Sequence, residues 1–101
     1  MAQLTVADRG KTRWILLSGE LDQSDVLDLK GQFDEAVEGS DGDIVVDLGK
    51  VTFLSTLGIG LIVSTIDRLD EDDRSMRLAN VPEFIDRTFR TMNLDDLLER
   101  A

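Results

Sequence analysis

The sequence predicts an α/β fold with a mixed sheet, and three observations carry that expectation. Two short strand-like patterns, Gln3 to Ala7 and Thr12 to Ser18, stand close together near the start of the chain, as in an antiparallel hairpin. Strand and helix patterns then alternate, which implies parallel strands joined by right-handed crossovers. The β-branched run Ile44-Val45-Val46 reads as a strand covered on both faces at the centre of a sheet. The 101 residues suit one domain, residues 1–101. A domain of this size buries roughly two-thirds of its unfolded surface, enough for one core without staples.

Each element has its own signal. Asp8-Arg9-Gly10-Lys11 is the turn of the hairpin, and Trp14-Ile15-Leu16-Leu17 gives the second strand an apolar run. Gly19-Glu20-Leu21-Asp22 ends that strand. Asp22 or Ser24 can cap the first helix by accepting from a free first-turn amide. Val26, Leu29, Phe33, Ala36 and Val37 recur at helical spacing, and Gly39-Ser40-Asp41-Gly42 stops the helix. The third strand spans Asp43 to Leu48 and turns at Gly49-Lys50. A second helix is expected from Thr56 to Leu69, with Leu57, Leu61, Ser64, Ile66 and Leu69 along it and Ile59, Ile62 and Val63 widening its apolar surface. The run Asp70-Glu71-Asp72-Asp73 opposes the negative end of the helix dipole, so it is expected in water just outside the helix. Ser75 to Ala79 is a fourth strand. Pro82 suits the first position of a helix over Glu83 to Thr91, with Phe84, Ile85, Thr88 and Phe89 inward. Met92-Asn93-Leu94 breaks that helix before a short terminal one, Asp95 to Arg100. The predicted order is β-β-α-β-α-β-α-α.

Composition narrows the chemistry. The chain has no cysteine, which removes disulfides, thiolate catalysis and cysteine zinc sites and fits a reducing compartment. It has no histidine, so the commonest general base and transition-metal ligand are missing. Eleven basic and 21 acidic side chains give a net charge of −10. That balance opposes direct nucleic-acid or anionic-membrane binding and favours a partner with a basic docking surface. The start, MAQLTVADRGK, lacks the apolar core of a signal peptide, and the longest apolar segment, Leu57 to Val63, is far too short to span a bilayer. A soluble cytoplasmic protein without membrane insertion is expected.

Catalytic and cofactor motifs are scarce. There is no GxxxxGK[ST] phosphate loop, and Gly58-Ile59-Gly60 lacks the third glycine of a dinucleotide fingerprint, whose place Val63 takes. These glycines instead suit close packing of a helix on the sheet or close approach by another protein. The acidic run at residues 70–73 lacks the alternating ligands of a calcium loop. No enzyme activity, metal site or cofactor is expected. Ser55 and Thr56 stand at the start of a helix, where two readings apply. A hydroxyl there can cap the helix. A phosphorylated hydroxyl there would meet free amides and the positive end of the dipole. It would also place nearly two negative charges among Phe53, Leu54, Leu57 and Ile59, enough to abolish docking on that apolar surface.

Three segments resemble the STAS domain, specifically the stand-alone anti-sigma factor antagonists, or anti-anti-sigma factors. Gly19-Glu20-Leu21-Asp22 resembles the family's GELD segment. Asp47-Leu48, Val51-Thr52-Phe53 and Gly58-Ile59-Gly60-Leu61 resemble its DLSxVxFxDSSGLGxL core. Leu78-Ala79-Asn80-Val81-Pro82, then Met92-Asn93-Leu94-Asp95-Asp96-Leu97, resemble its closing pattern. The match covers almost the whole chain in the family's order. It implies a sheet of four or five strands with helices packed against it. It also implies a non-enzymatic antagonist that, unphosphorylated, binds an anti-sigma factor that is also a GHKL-type serine/threonine kinase, and so releases a sigma factor. The ATP belongs to that kinase. Phosphorylation at the helix start switches the antagonist off, and a PP2C-type phosphatase reverses it.

Against the family's Asp-Ser-Ser-Gly, this chain has Ser55-Thr56-Leu57-Gly58. The resemblance therefore puts the acceptor at Thr56, with Ser55 the second choice. It puts the docking surface at Phe53, Leu54, Ser55, Leu57, Gly58 and Ile59, with Glu20, Leu21 and Asp22 adjoining. Because Ser55 replaces the aspartate and Leu57 the second serine, a divergent antagonist not regulated by phosphate stays open. So do a STAS accessory subunit of a lipid-transport ABC ATPase and a domain that binds nucleotide weakly.

Overall fold

The alternation resolves into a four-stranded mixed sheet in the order β1-β2-β3-β4. The computed structural model describes residues 2–94 and 96. Its elements are β1 (Gln3–Arg9), β2 (Thr12–Leu21), α1 (Gln23–Glu38), β3 (Ile44–Leu54), α2 (Thr56–Glu71), β4 (Met76–Ala79) and α3 (Glu83–Thr91). The first two strands are antiparallel, and β2–β3 and β3–β4 are parallel. This is the order predicted, except that the terminal helix expected over residues 95–100 lies, apart from Asp96, outside the described residues.

The β1–β2 turn is tighter than expected. Strand pairing continues to Arg9 opposite Thr12, leaving Gly10 and Lys11 as the loop, and Gly10 adopts the positive φ (63°) that such a turn requires. Ile44, Val45 and Val46 are all buried, as the β-branched run predicts. Ile15, Leu17, Ile44, Val46, Leu48, Met76 and Leu78 meet the helices in one apolar cluster, which Ile85 and Phe89 of α3 join. Val45 takes the opposite face, in register with Trp14 and Arg77. The Arg9 guanidinium lies 5.0 Å above the Trp14 ring on that side.

Helix α1 buries the predicted stripe of Val26, Leu29, Phe33, Ala36 and Val37. Two arginines hold its C-terminal carbonyls. Arg13 donates to Ala36 O at 2.9 Å, and Arg74 donates to Val37 O at 3.1 Å. Cations there also oppose the negative end of the helix dipole.

Several expectations are corrected. The segment 19–21 does not end β2, and Gly49-Lys50 does not turn β3: both strands run on to Leu21 and Leu54. Pairing between the two overrides the local turn propensity, and a register irregularity is absorbed at Gly19, whose φ is 89°. Helix α2 runs to Glu71, so Asp70 and Glu71 close it rather than follow it. Both remain exposed, and Arg68 in the same turn offsets their conflict with the dipole. Ile59, Ile62, Ile66 and Leu69 are buried as expected, but Leu57 and Ser64 face outward, and Gly58 and Thr65 are buried in their place. In α3 only Ile85 and Phe89 are buried, while Phe84 is exposed and Thr88 half-buried. Pro82 occupies the N-cap position, one residue earlier than expected, with extended backbone (ψ 153°).

The orientation of α1 can be tested directly. Phe33 is 1% exposed and Leu27 is 62% exposed. Phe33→Ala should cost about 3–5 kcal/mol, and Leu27→Ala less than about 0.5 kcal/mol. Chemical denaturation of both variants measures this, and similar losses would contradict the assigned burial.

Candidate functional site

The ends of β2 and β3 build the site. Glu20 pairs with Phe53 and Leu21 with Leu54, so two strands finish side by side and two helices start side by side. The Ser55 amide donates to Leu21 O at 2.9 Å, which ties the second helix start to the first strand end. Asp22 caps α1 by accepting from the Asp25 amide at 2.9 Å. Ser55 caps α2 by accepting from the Gly58 amide at 3.2 Å through Oγ. Both caps have the extended backbone expected at that position.

The two hydroxyls therefore have different environments. Ser55 is half-buried and its side chain is engaged. Thr56, the first residue of α2, is exposed, and no hydrogen bond engages its hydroxyl among the described residues. The Gly58 and Ile59 amides are bonded to Ser55 Oγ and Ser55 O, which leaves those of Thr56 and Leu57 facing outward at the positive end of the dipole. An anion on Thr56 would sit beside them.

Apolar side chains stand around this hydroxyl. Phe53 is 50% exposed and Leu57 is 39% exposed, while Leu54 is half-buried. Glu20 is exposed and Asp22 half-buried. Leu21, Gly58 and Ile59 are buried, so they shape the site from beneath. A Cβ on Gly58 would lie 2.6 Å from Leu54 Cδ1 and 3.3 Å from Val26 Cγ2, so a bare backbone lets the first turn of α2 settle between β3 and α1. Gly60 is different: a Cβ there would meet open space.

The acidic side of the site lies on α1. The Asp25 carboxyl is held above the usual range, first by partial loss of water and then by the neighbouring Asp22 carboxylate. Among the described residues no cluster of three or more ligating side chains could hold a metal, and no helix is long and apolar enough to cross a membrane.

Residues 4–99 match the family described as Mlab, STAS domain. The chain belongs to the STAS-domain family. Its relatives include the anti-sigma-B factor antagonists of Staphylococcus aureus (strain NCTC 8325 / PS 47) and Staphylococcus epidermidis. Each is 30% identical over 84 residues, covering 83% of this chain and 78% of the relative. An anti-sigma factor antagonist from Mycobacterium paratuberculosis shares the fold with a TM-score of 0.85 at 22% identity, over 95% of this chain and 81% of that one. The antagonist SpoIIAA in its unphosphorylated form gives 0.78 at 20% identity, over 94% and 84%.

In this STAS domain the helix-start hydroxyls singled out by the sequence fall together with Phe53, Leu57 and Glu20 at one end of the sheet. Sequence reasoning missed Leu27 of α1, the most exposed of the large apolar side chains described. Its signal was present: Leu27 is apolar but falls outside the stripe of Val26, Leu29, Phe33, Ala36 and Val37. Stability measurements separate the two hydroxyls. Ser55→Ala should cost about 1 kcal/mol through loss of the cap, and Thr56→Ala less than about 0.5 kcal/mol. A larger loss at Thr56 in urea denaturation would reverse these roles.

Proposed function

We propose that this protein is an anti-sigma factor antagonist working by partner switching, with Thr56 as the phosphoacceptor. Unphosphorylated, it docks on an anti-sigma factor that is also a GHKL-type serine/threonine kinase, and a sigma factor is released. The kinase brings the ATP, transfers phosphate to Thr56 and so inactivates the antagonist, and a PP2C-type phosphatase restores it. The role is one of binding, carried out in the cytoplasm. Phe53, Leu57 and Glu20 form the contact surface, with Leu54, Ser55 and Asp22 at its base and Leu21, Gly58 and Ile59 supporting it.

One observation carries this reading: Thr56 is exposed and its hydroxyl is unengaged among the described residues, while Ser55 makes the capping bond. Phosphate can therefore be added at Thr56 without removing a structural hydrogen bond, and nearly two negative charges then stand between Phe53 and Leu57. A partner that buried those side chains would have to desolvate that charge. The names of the staphylococcal relatives, and the existence of both unphosphorylated and phosphorylated SpoIIAA structures, support the same direction.

The departures at Ser55 and Leu57 favour one second reading, constitutive docking of the same helix face on a lipid-transport ATPase. Co-purification distinguishes the two by whether a GHKL-type kinase or a transporter ATPase returns with the protein. For the main reading, incubation with the GHKL-type kinase and ATP should place a single phosphate on Thr56, located by mass spectrometry, and Thr56→Asp should lose the kinase in a pull-down. Phosphate at another residue, or an unchanged yield from Thr56→Ala, would overturn the assignment.

A further inference from the structure

Strand β1 is one edge of the sheet, and among the described residues no strand pairs with its outer side. Its backbone is aimed outward there. Arg13 donates its amide to Asp43 O at 3.0 Å, so the peptide groups of Arg13, and by alternation those of Ile15 and Leu17, turn towards β3. Their partners across the β1–β2 ladder, Asp8, Val6 and Leu4, therefore turn their N–H and C=O groups away from β2. We infer that this edge pairs with β1 of a second copy of the chain, antiparallel about a two-fold axis at Thr5, to make one continuous sheet. The inference does not depend on the docking reading above.

Self-complementarity selects a second copy as the occupant. About an axis at Thr5, Leu4 of one copy stands opposite Val6 of the other and exchanges both N–H···O bonds with it, while Thr5 meets Thr5. Leu4 and Val6 lie on the helix side of β1, in register with the buried Leu17 and Ile15. Val6 is nevertheless 40% exposed, because a groove of about 470 Å³ lies open between this edge and Gln32, Glu35 and Ala36 of α1. The Leu4 and Val6 side chains of a second β1 would cover that border. Residues 3–7 carry no charge, although 32% of the chain is charged, so an acidic copy meets no carboxylate in the centre of the ladder. An axis at Val6 would instead set Leu4 against the Asp8 carboxylate, which holds Arg13 at 2.7 Å. The opposite edge is blunted: β4 has four residues, and Pro82 follows it. By contrast β1 has seven residues without proline, lysine or bulge. One strand pair is a small contact, so the dimer is weak and concentration-dependent. Antiparallel pairing sends the two Thr56 surfaces to opposite ends of the continuous sheet, where both stay open to partners.

Analytical ultracentrifugation of the full chain over a concentration series should show a monomer–dimer equilibrium that moves towards dimer as salt rises, because copies of net charge −10 repel one another. Val6→Lys puts a charge into the seam at a side chain that is already exposed. It should weaken the dimer at least about tenfold with little change in melting temperature. The chain has no cysteine, so a single introduced one reports the register. Thr5→Cys should give a disulfide-linked dimer on mild oxidation, since the two Thr5 side chains meet at the axis. Gln3→Cys should not, because the two copies of Gln3 stand roughly 13 Å apart along the strands. A wild type that stays monomeric at every concentration would overturn the inference and leave the edge to a strand of another protein. A dimer that survives Val6→Lys, or that Gln3→Cys captures as well as Thr5→Cys, would overturn this seam. A dimer that weakens as salt rises would overturn its uncharged character. Each of these outcomes leaves the Thr56 switch untouched.

Discussion

The parallel pairing of Glu20 with Phe53 and Leu21 with Leu54, closed by the Ser55 amide on Leu21 O, is the constraint on which the rest of the site depends. It carries two strands to the same line, so both helices begin there with their amide ends outward. Ser55 then becomes a cap and Thr56 the first residue beyond it. If β3 stopped at Leu48, as its turn-like sequence suggests, Phe53 would lie in a loop and the start of α2 would have no fixed relation to α1. The ladder fixes where the hydroxyl stands, and the core beneath it keeps that position when the surface is altered. Gly58 completes the arrangement by letting the first turn of α2 lie against Leu54 and Val26.

Charge is distributed in keeping with this division. The far end of α1 is tied down by Arg13 and Arg74 on its last carbonyls, whereas the end near Thr56 carries Glu20, Asp22, Asp25 and Asp28. The raised pKa direction of Asp25 reflects lost hydration together with that crowding of carboxylates. A surface already negative near an apolar contact has little tolerance for two further charges. On the proposed reading, a phosphate at Thr56 would therefore act on binding much more than on folding. Its own helix terminus welcomes an anion, while an apolar partner facing Phe53 and Leu57 does not.

Much of the fold is legible in the sequence because strong periodic signals coincide with burial. The α1 stripe is recovered residue for residue, and the β-branched run of β3 is buried throughout. The failures occur where tertiary pairing overrules local propensity. Gly19 and Gly49-Lys50 read as breaks, yet they continue strands once each strand has the other as a partner. The inward face of the first turns of α2 is blurred because every position from Leu57 to Val63 is apolar or glycine, so periodicity cannot choose a face there. At the site, the position of the two hydroxyls at a helix start is legible. Which one caps is not, since either could bond a first-turn amide, and only the geometry gives that bond to Ser55. Leu27 escapes notice because an apolar residue off a stripe gains meaning only when α2 is known to run beside it.

The central claim is that modification of Thr56 changes the surface and leaves the fold alone. Amide chemical shifts of the protein carrying a phosphate on Thr56, recorded against the unmodified protein with melting temperatures for both, test it most directly. The shifts should be confined to Leu21–Asp22 and Leu54–Gly60, with the melting temperature unchanged. Shifts spreading to core strand residues such as Ile15 and Val46, with a lowered melting temperature, would contradict it.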